Sequence, residues 1–88
     1  MSILAKDPTR FAETRIDDET VIMSLDSGDF FSLTGTAQSI WRLLDGTRDR
    51  AAILAELAAE YDAPEAEMAS DLDSFLAGLR AAGLLAAS

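Results

Sequence analysis

Alternation at every second position marks the first third of the chain. In Val21-Ile22-Met23-Ser24-Leu25 the odd positions share one face and the even positions the other, which predicts a half-buried strand. Phe30-Phe31-Ser32-Leu33 follows across Asp26-Ser27-Gly28-Asp29, a polar link whose glycine can take positive φ, so the two segments are expected to pair as an antiparallel hairpin. Phe31 and Leu33 would then point to the core, while Phe30 and Ser32 face away from it. Arg10–Ile16 is a weaker strand candidate, separated from the hairpin by the acidic loop Asp17-Asp18-Glu19. The economical reading is a three-stranded meander.

The period changes after Thr34. Ala37, Ile40, Trp41 and Leu44 recur at helical spacing, with Thr34 or Thr36 placed to cap the start. Asp45-Gly46-Thr47 punctuates the chain: Gly46 suits the left-handed position after a helix and Thr47 suits the cap of the next. A second helix is predicted over about 48–60, with Leu54, Leu57, Ala58 and Tyr61 in its apolar set. A third opens near Pro64, its Glu65 and Glu67 opposing the helix dipole, and carries the stripe Met68, Leu72, Phe75, Leu76 and Leu79. If Gly83 ends it in a left-handed conformation, Leu84 packs back on Leu79. The expected fold class is α+β: three antiparallel strands, then three helices, in a single domain over 1–88 with a core of about 10–85.

Composition narrows the chemistry. Among 88 residues there are 16 acids, 7 bases and no His or Cys, for a net charge of −9. The absence of imidazole and thiol removes the commonest general base, the commonest transition-metal ligand and any disulfide. Asp71 and Asp73, two apart on a helix, do not share a face and form no catalytic carboxylate pair. The acids around Gly28 and Gly46 do not match a calcium-binding loop. The expectation is a protein without catalytic residues, metal or other cofactor. Net negative charge repels nucleic acid, and no run approaches a membrane span, so neither partner is expected. Met1–Arg10, with Asp7 and Pro8, does not read as a signal peptide, and a cytoplasmic location is the default.

So small a sheet cannot have both edges covered by three helices. An open edge strand is a template for an extended peptide, which gains main-chain hydrogen bonds there while side-chain pockets add selectivity. The other use of such an edge is pairing with a second copy in a self-associating structural module, a homodimer. Size and acidity also suit an acyl carrier protein, but Asp26-Ser27-Gly28 lies in a hairpin and Asp73-Ser74-Phe75 mid-helix, neither the context for a carrier serine. Phe30 could line a peptide pocket or pack within the fold. Most of the third helix's stripe reads as core, with Met68 and Asp71 as candidate lips of a groove beside the open strand, whose acidic surroundings favour a peptide bearing Lys or Arg.

Gly28-Asp29-Phe30-Phe31-Ser32-Leu33-Thr34, then Ala37, Ile40-Trp41, Leu44-Asp45-Gly46-Thr47, Tyr61-Asp62, Asp71-Leu72, Phe75-Leu76, Leu79 and Ala82-Gly83-Leu84 together resemble the PqqD-like family, over roughly residues 10–85. The resemblance implies a winged-helix-like RiPP precursor recognition element, which binds the leader of a ribosomally made precursor peptide and presents it to a modifying enzyme such as a radical SAM enzyme or a leader peptidase. In such domains the leader adds to the third strand and lies along the third helix. Carried over by position, the peptide-binding residues would be Asp29, Phe30, Phe31, Ser32 and Leu33 on the strand, with Met68, Asp71, Leu72, Phe75 and Leu76 on the helix. Thr34 stands where the family usually has Asn. The second strand is more similar to lasso-peptide and stand-alone members than to those of pyrroloquinoline quinone synthesis.

Overall fold

The computed structural model describes residues 3–86. Its elements are β1 (Ile3–Ala5), β2 (Phe11–Ile16), β3 (Glu19–Ser24), β4 (Phe30–Leu33), α1 (Gly35–Leu43), β5 (Asp45–Asp49), α2 (Arg50–Tyr61) and α3 (Glu65–Ala81). The expected meander is present as an antiparallel sheet in the order β2-β3-β4, followed by three helices. Glu19 belongs to β3, where it pairs with Ile16, so the β2–β3 link shortens to Asp17-Asp18, with Asp17 at φ 55. Leu25, expected to end β3, lies beyond it and is exposed. At the next hairpin Ser24 N–H donates to Asp29 C=O and Gly28 N–H to Ser24 C=O, both at 2.8 Å, with Gly28 at φ 78.

One face of the sheet is covered. Thr20, Ile22 and Ser24 are buried on β3, and Leu33 on β4, beneath Ile40, Trp41 and Leu44 of the α1 segment. The opposite face carries Val21, Met23 and the exposed Phe30. The polar members of the covered face are satisfied: Gln38 Nε2 donates to Thr20 Oγ1 at 3.1 Å. Trp41 Nε1 donates to Glu13 Oε1 at 2.9 Å while its ring meets Phe11 edge-on at 4.9 Å, so the sheet grips both the polar and the apolar part of the indole.

The sequence reading missed a second sheet. β1 and β5 pair antiparallel, Ile3 with Asp49 and Leu4 with Arg48, with a register irregularity before Ala5 meets Asp45. Three corrections follow from it. Gly46 is left-handed (φ 85) but lies within β5 instead of directly closing α1, whose C-cap is Leu44. Thr47 caps nothing; its N–H and hydroxyl both bond Asp45 Oδ1, at 3.1 and 2.6 Å. The second helix starts at Arg50, capped by Asp49, whose Oδ1 accepts from Ala52 N–H at 2.9 Å. At the start of α1, Thr34 holds the N-cap position in extended backbone without a side-chain cap bond. Tyr61, expected in the core, is exposed at the end of α2 with its hydroxyl 2.7 Å from Ser39 Oγ.

The third helix agrees with its sequence at both ends. Pro64 is its N-cap and Glu65 and Glu67 occupy the first turn. At the other end Gly83 N–H bonds Arg80 C=O at 3.1 Å and Leu84 N–H bonds Leu79 C=O at 3.0 Å, with Gly83 at φ 73. This is the paired 5→2 and 6→1 arrangement of a Schellman ending, and it drives Leu84 into the core.

Candidate functional site: the β4 edge and the α3 groove

Among the described residues β4 is hydrogen-bonded to β3 alone and so ends the sheet. Because Ser24 and Asp29 bond across the hairpin, and the register runs Met23–Phe30, Ile22–Phe31, Val21–Ser32, strict antiparallel alternation turns the main-chain groups of Phe31 and Leu33 towards β3. Those of Phe30 and Ser32 point away from the sheet. The edge therefore offers the N–H and C=O of Phe30 and Ser32 at the spacing of a further strand.

Side chains alternate across the other axis. Phe31 and Leu33 point to the helical face, where Ile22, Phe31 and Leu33 form one wall and Phe75, Leu79 and Leu84 the other wall of an apolar cavity of about 190 Å³. It adjoins a more open hollow of about 500 Å³ between Thr34, Thr36 and Ala37 at the start of α1 and Asp71 on α3. Ser74 and Phe75 line both, so the two form one groove along α3 beside the free edge.

The residues singled out from sequence fall into three groups. Phe31 and Phe75, both half-buried, line the groove, with Leu33 on its floor and Asp71 at its exposed outer end. Met68, Leu72 and Leu76 are buried in the core and support α3 from behind. Asp29, Phe30 and Ser32 belong to the edge itself: Asp29 accepts from Ser27 Oγ at 3.0 Å, and Ser32 Oγ donates to the Glu19 carboxylate. Phe30 is 70% exposed, on the sheet face opposite the groove, so it is not a core residue.

The sequence reading missed the small residues of α3. Ser74, Gly78 and Ala82 recur every fourth position and line the narrower cavity, where nothing lies within 4 Å of a Cβ placed on Gly78. A stripe of small side chains on the face presented to an open strand was the available signal, because it lets another backbone approach the helix.

A different hollow, about 250 Å³ and polar, lies on the same face of the sheet at its β2 edge, among Lys6, Glu13, Arg15, Gln38 and Trp41. Lys6 Nζ sits 4.9 Å from the Trp41 ring centre. Burial lowers its pKa from the ordinary lysine value, against the opposing pull of Glu13 and Asp45. It lacks the apolar walls of the α3 groove.

Two solved structures are similar over almost the entire chain. One is TbiB1 in complex with the TbiA(beta) leader peptide: 30% identity, 90% of this chain and 92% of that one, TM-score 0.80. The other is lasso peptide synthetase B1 complexed with the leader peptide: 24% identity, 98% of this chain and 100% of that one, TM-score 0.80, a likeness of fold. No curated protein matches the chain. Residues 19–85, which hold β3, the open strand β4 and all three helices, match the family described as coenzyme PQQ synthesis protein D, and the chain belongs to the PqqD family.

Proposed function

We propose that the protein is a non-catalytic adaptor that captures the leader segment of a ribosomally made precursor peptide by strand addition to β4 and presents it to a modifying enzyme or leader peptidase. The observation that carries this reading is the conjunction of an unpaired strand edge with an apolar groove beside it, lined by Phe31, Leu33 and Phe75. An extended peptide paired to Phe30 and Ser32 would direct alternate side chains into that groove. The likeness to TbiB1, solved with a leader peptide, supports the ligand class, and the resemblance to lasso-peptide members supports a pathway of that kind. Asp29 and Asp71 flank the proposed track, and a chain of net charge −9 favours a leader with Lys or Arg at its ends.

Capture by itself accounts for the activity. A tethered substrate reaches its enzyme at a local concentration that is in the mM range for short flexible links, so no residue here has to touch the reacting bond. The test is an amide NMR titration of labelled protein with synthetic lasso-type leaders. Shifts concentrated in residues 29–34 and along 71–82 are expected. Ser32→Pro should lower affinity at least about tenfold while the protein stays folded, because its N–H points off the sheet and proline deletes that donor. A leader that binds Ser32→Pro as well as the natural chain would exclude strand addition there.

A further inference from the structure

The sheet has a second free edge. Among the described residues β2 is bonded to β3 alone, and residues 12–16 are all exposed. It carries neither proline nor lysine, and its two charges are one acid and one base, Glu13 and Arg15, so that a second copy of the strand meets attraction where like charges would repel. Leu25 N–H donates to Arg10 C=O at 2.9 Å, and the register runs Phe11–Ser24, Ala12–Met23, Glu13–Ile22. Alternation therefore turns the main-chain groups of Ala12, Thr14 and Ile16 towards β3 and those of Phe11, Glu13 and Arg15 outwards.

Two of these residues, Glu13 and Arg15, are opposite in charge and symmetric about Thr14. When two β2 strands pair antiparallel with a two-fold axis at Thr14, Glu13 falls opposite the partner's Arg15, and Arg15 opposite the partner's Glu13. These are the residues whose N–H and C=O groups are free, so backbone phase and side-chain charge select the same register. An axis at Glu13 would set Glu13 against itself, and one at Arg15 would set Arg15 against itself and Glu13 against Asp17. On the other face the Thr14 register places Ala12 opposite the partner's Ile16, covering a side chain that is 54% exposed in the single chain.

Both charged groups are available. Glu13 uses Oε1 to hold the Trp41 indole at 2.9 Å, which leaves Oε2. Arg15 makes no ion pair or side-chain hydrogen bond among the described residues.

We propose that the protein forms an isologous dimer through β2, with Thr14 on the axis, joining two meanders into one sheet in the order β4-β3-β2-β2-β3-β4. Both β4 edges remain at the far ends, so dimerisation and peptide capture are independent, and neither proposal rests on the other. Sedimentation equilibrium of the whole chain tests it. The natural chain should dimerise, Arg15→Glu and Glu13→Arg should each weaken the dimer at least about tenfold, and an equimolar mixture of the two should restore it, because opposite charges again face across the axis. Glu13→Arg also removes the acceptor of the Trp41 indole. If it fails to fold by near-ultraviolet circular dichroism, Arg15→Pro replaces it: that variant keeps the β2–β3 bonds, loses an outward donor and should be monomeric. A natural chain that stays monomeric at millimolar concentration, or Arg15→Glu and Arg15→Pro variants that dimerise as the natural chain does, would overturn the proposal.

Discussion

Phe30 and Phe31 are adjacent in sequence and have opposite roles. Phe31 pairs with Ile22, lies half-buried and forms a wall of the α3 groove, whereas Phe30 pairs with Met23 on the uncovered face. Phe30→Ala should therefore leave stability within about 0.5 kcal/mol while weakening leader binding several-fold, measured by urea unfolding and by peptide titration on the same variant. Leu72→Ala gives the complementary result. Leu72 is fully buried behind the groove, so its truncation should cost about 2–5 kcal/mol in the urea experiment. Alternation was enough to separate the two phenylalanines and to send Phe31 and Leu33 inward. It could not assign the groove residues of α3, because Leu72 and Phe75 occupy the same stripe and differ only in what covers them. Nor could it find the Trp41–Glu13 hydrogen bond, since 28 positions separate residues that only the packing of α1 on the sheet brings together.

Helix ends were legible where the signal is local. Gly83 at φ 73 allows the two hydrogen bonds that close α3 and bring Leu84 under the sheet. A Cβ at Gly83 would lie 3.8 Å from Arg10 Nη1, an ordinary contact, so Gly83→Ala is governed by backbone strain alone. It should cost about 1–2 kcal/mol and lower the melting temperature by roughly 4–8 °C for each kcal/mol, measured calorimetrically. β5 was illegible for the converse reason. Asp45-Gly46-Thr47 is turn chemistry by composition, and its strand conformation comes from pairing with β1, 40 or more positions away. That pairing also moves the start of α2 from the position suggested by Thr47 to the Asp49 cap. Local hydrogen bonding settles a cap, whereas a short polar strand exists only when its distant partner arrives.

At the scale of the molecule the governing property is charge, −9 at pH 7 with an isoelectric point near 4.1. Hydrogen bonds from Thr9 hold Asp7 below the ordinary carboxylate range, those from Thr47 do the same for Asp45, and Arg50 does so for Asp73, which it grips through Nε and Nη2 at 2.9 Å. A carboxylate whose pKa is lowered by folding stabilises the fold above its unfolded value, about 4, and that contribution is lost as pH falls through the lower folded value. Self-repulsion acts the other way, easing as pH drops from 7 towards the isoelectric point. The urea midpoint should therefore be no lower at about pH 5 than at pH 7, and should fall clearly by about pH 3. Removing one anchor, with Arg50→Ala, should flatten the acid limb; an unchanged pH profile would mean that the Asp73 pair contributes nothing.

The sequence by itself determined the order of the three-stranded meander and the three helices, the faces of β4, the left-handed ending of α3 and the open-edge logic, because each depends on neighbours within a turn or on the period of the chain. Excess acid and the lack of His and Cys likewise narrowed the chemistry without coordinates. Tertiary structure decided which apolar residues of α3 became groove and which became core, created the β1–β5 sheet, and left β2 as a second edge whose Glu13 and Arg15 turn their main-chain groups outward. Those features are relations between segments far apart in the chain, and no local period or propensity encodes them: burial depends on what packs above a residue, and an edge is free only when every other element has gone elsewhere.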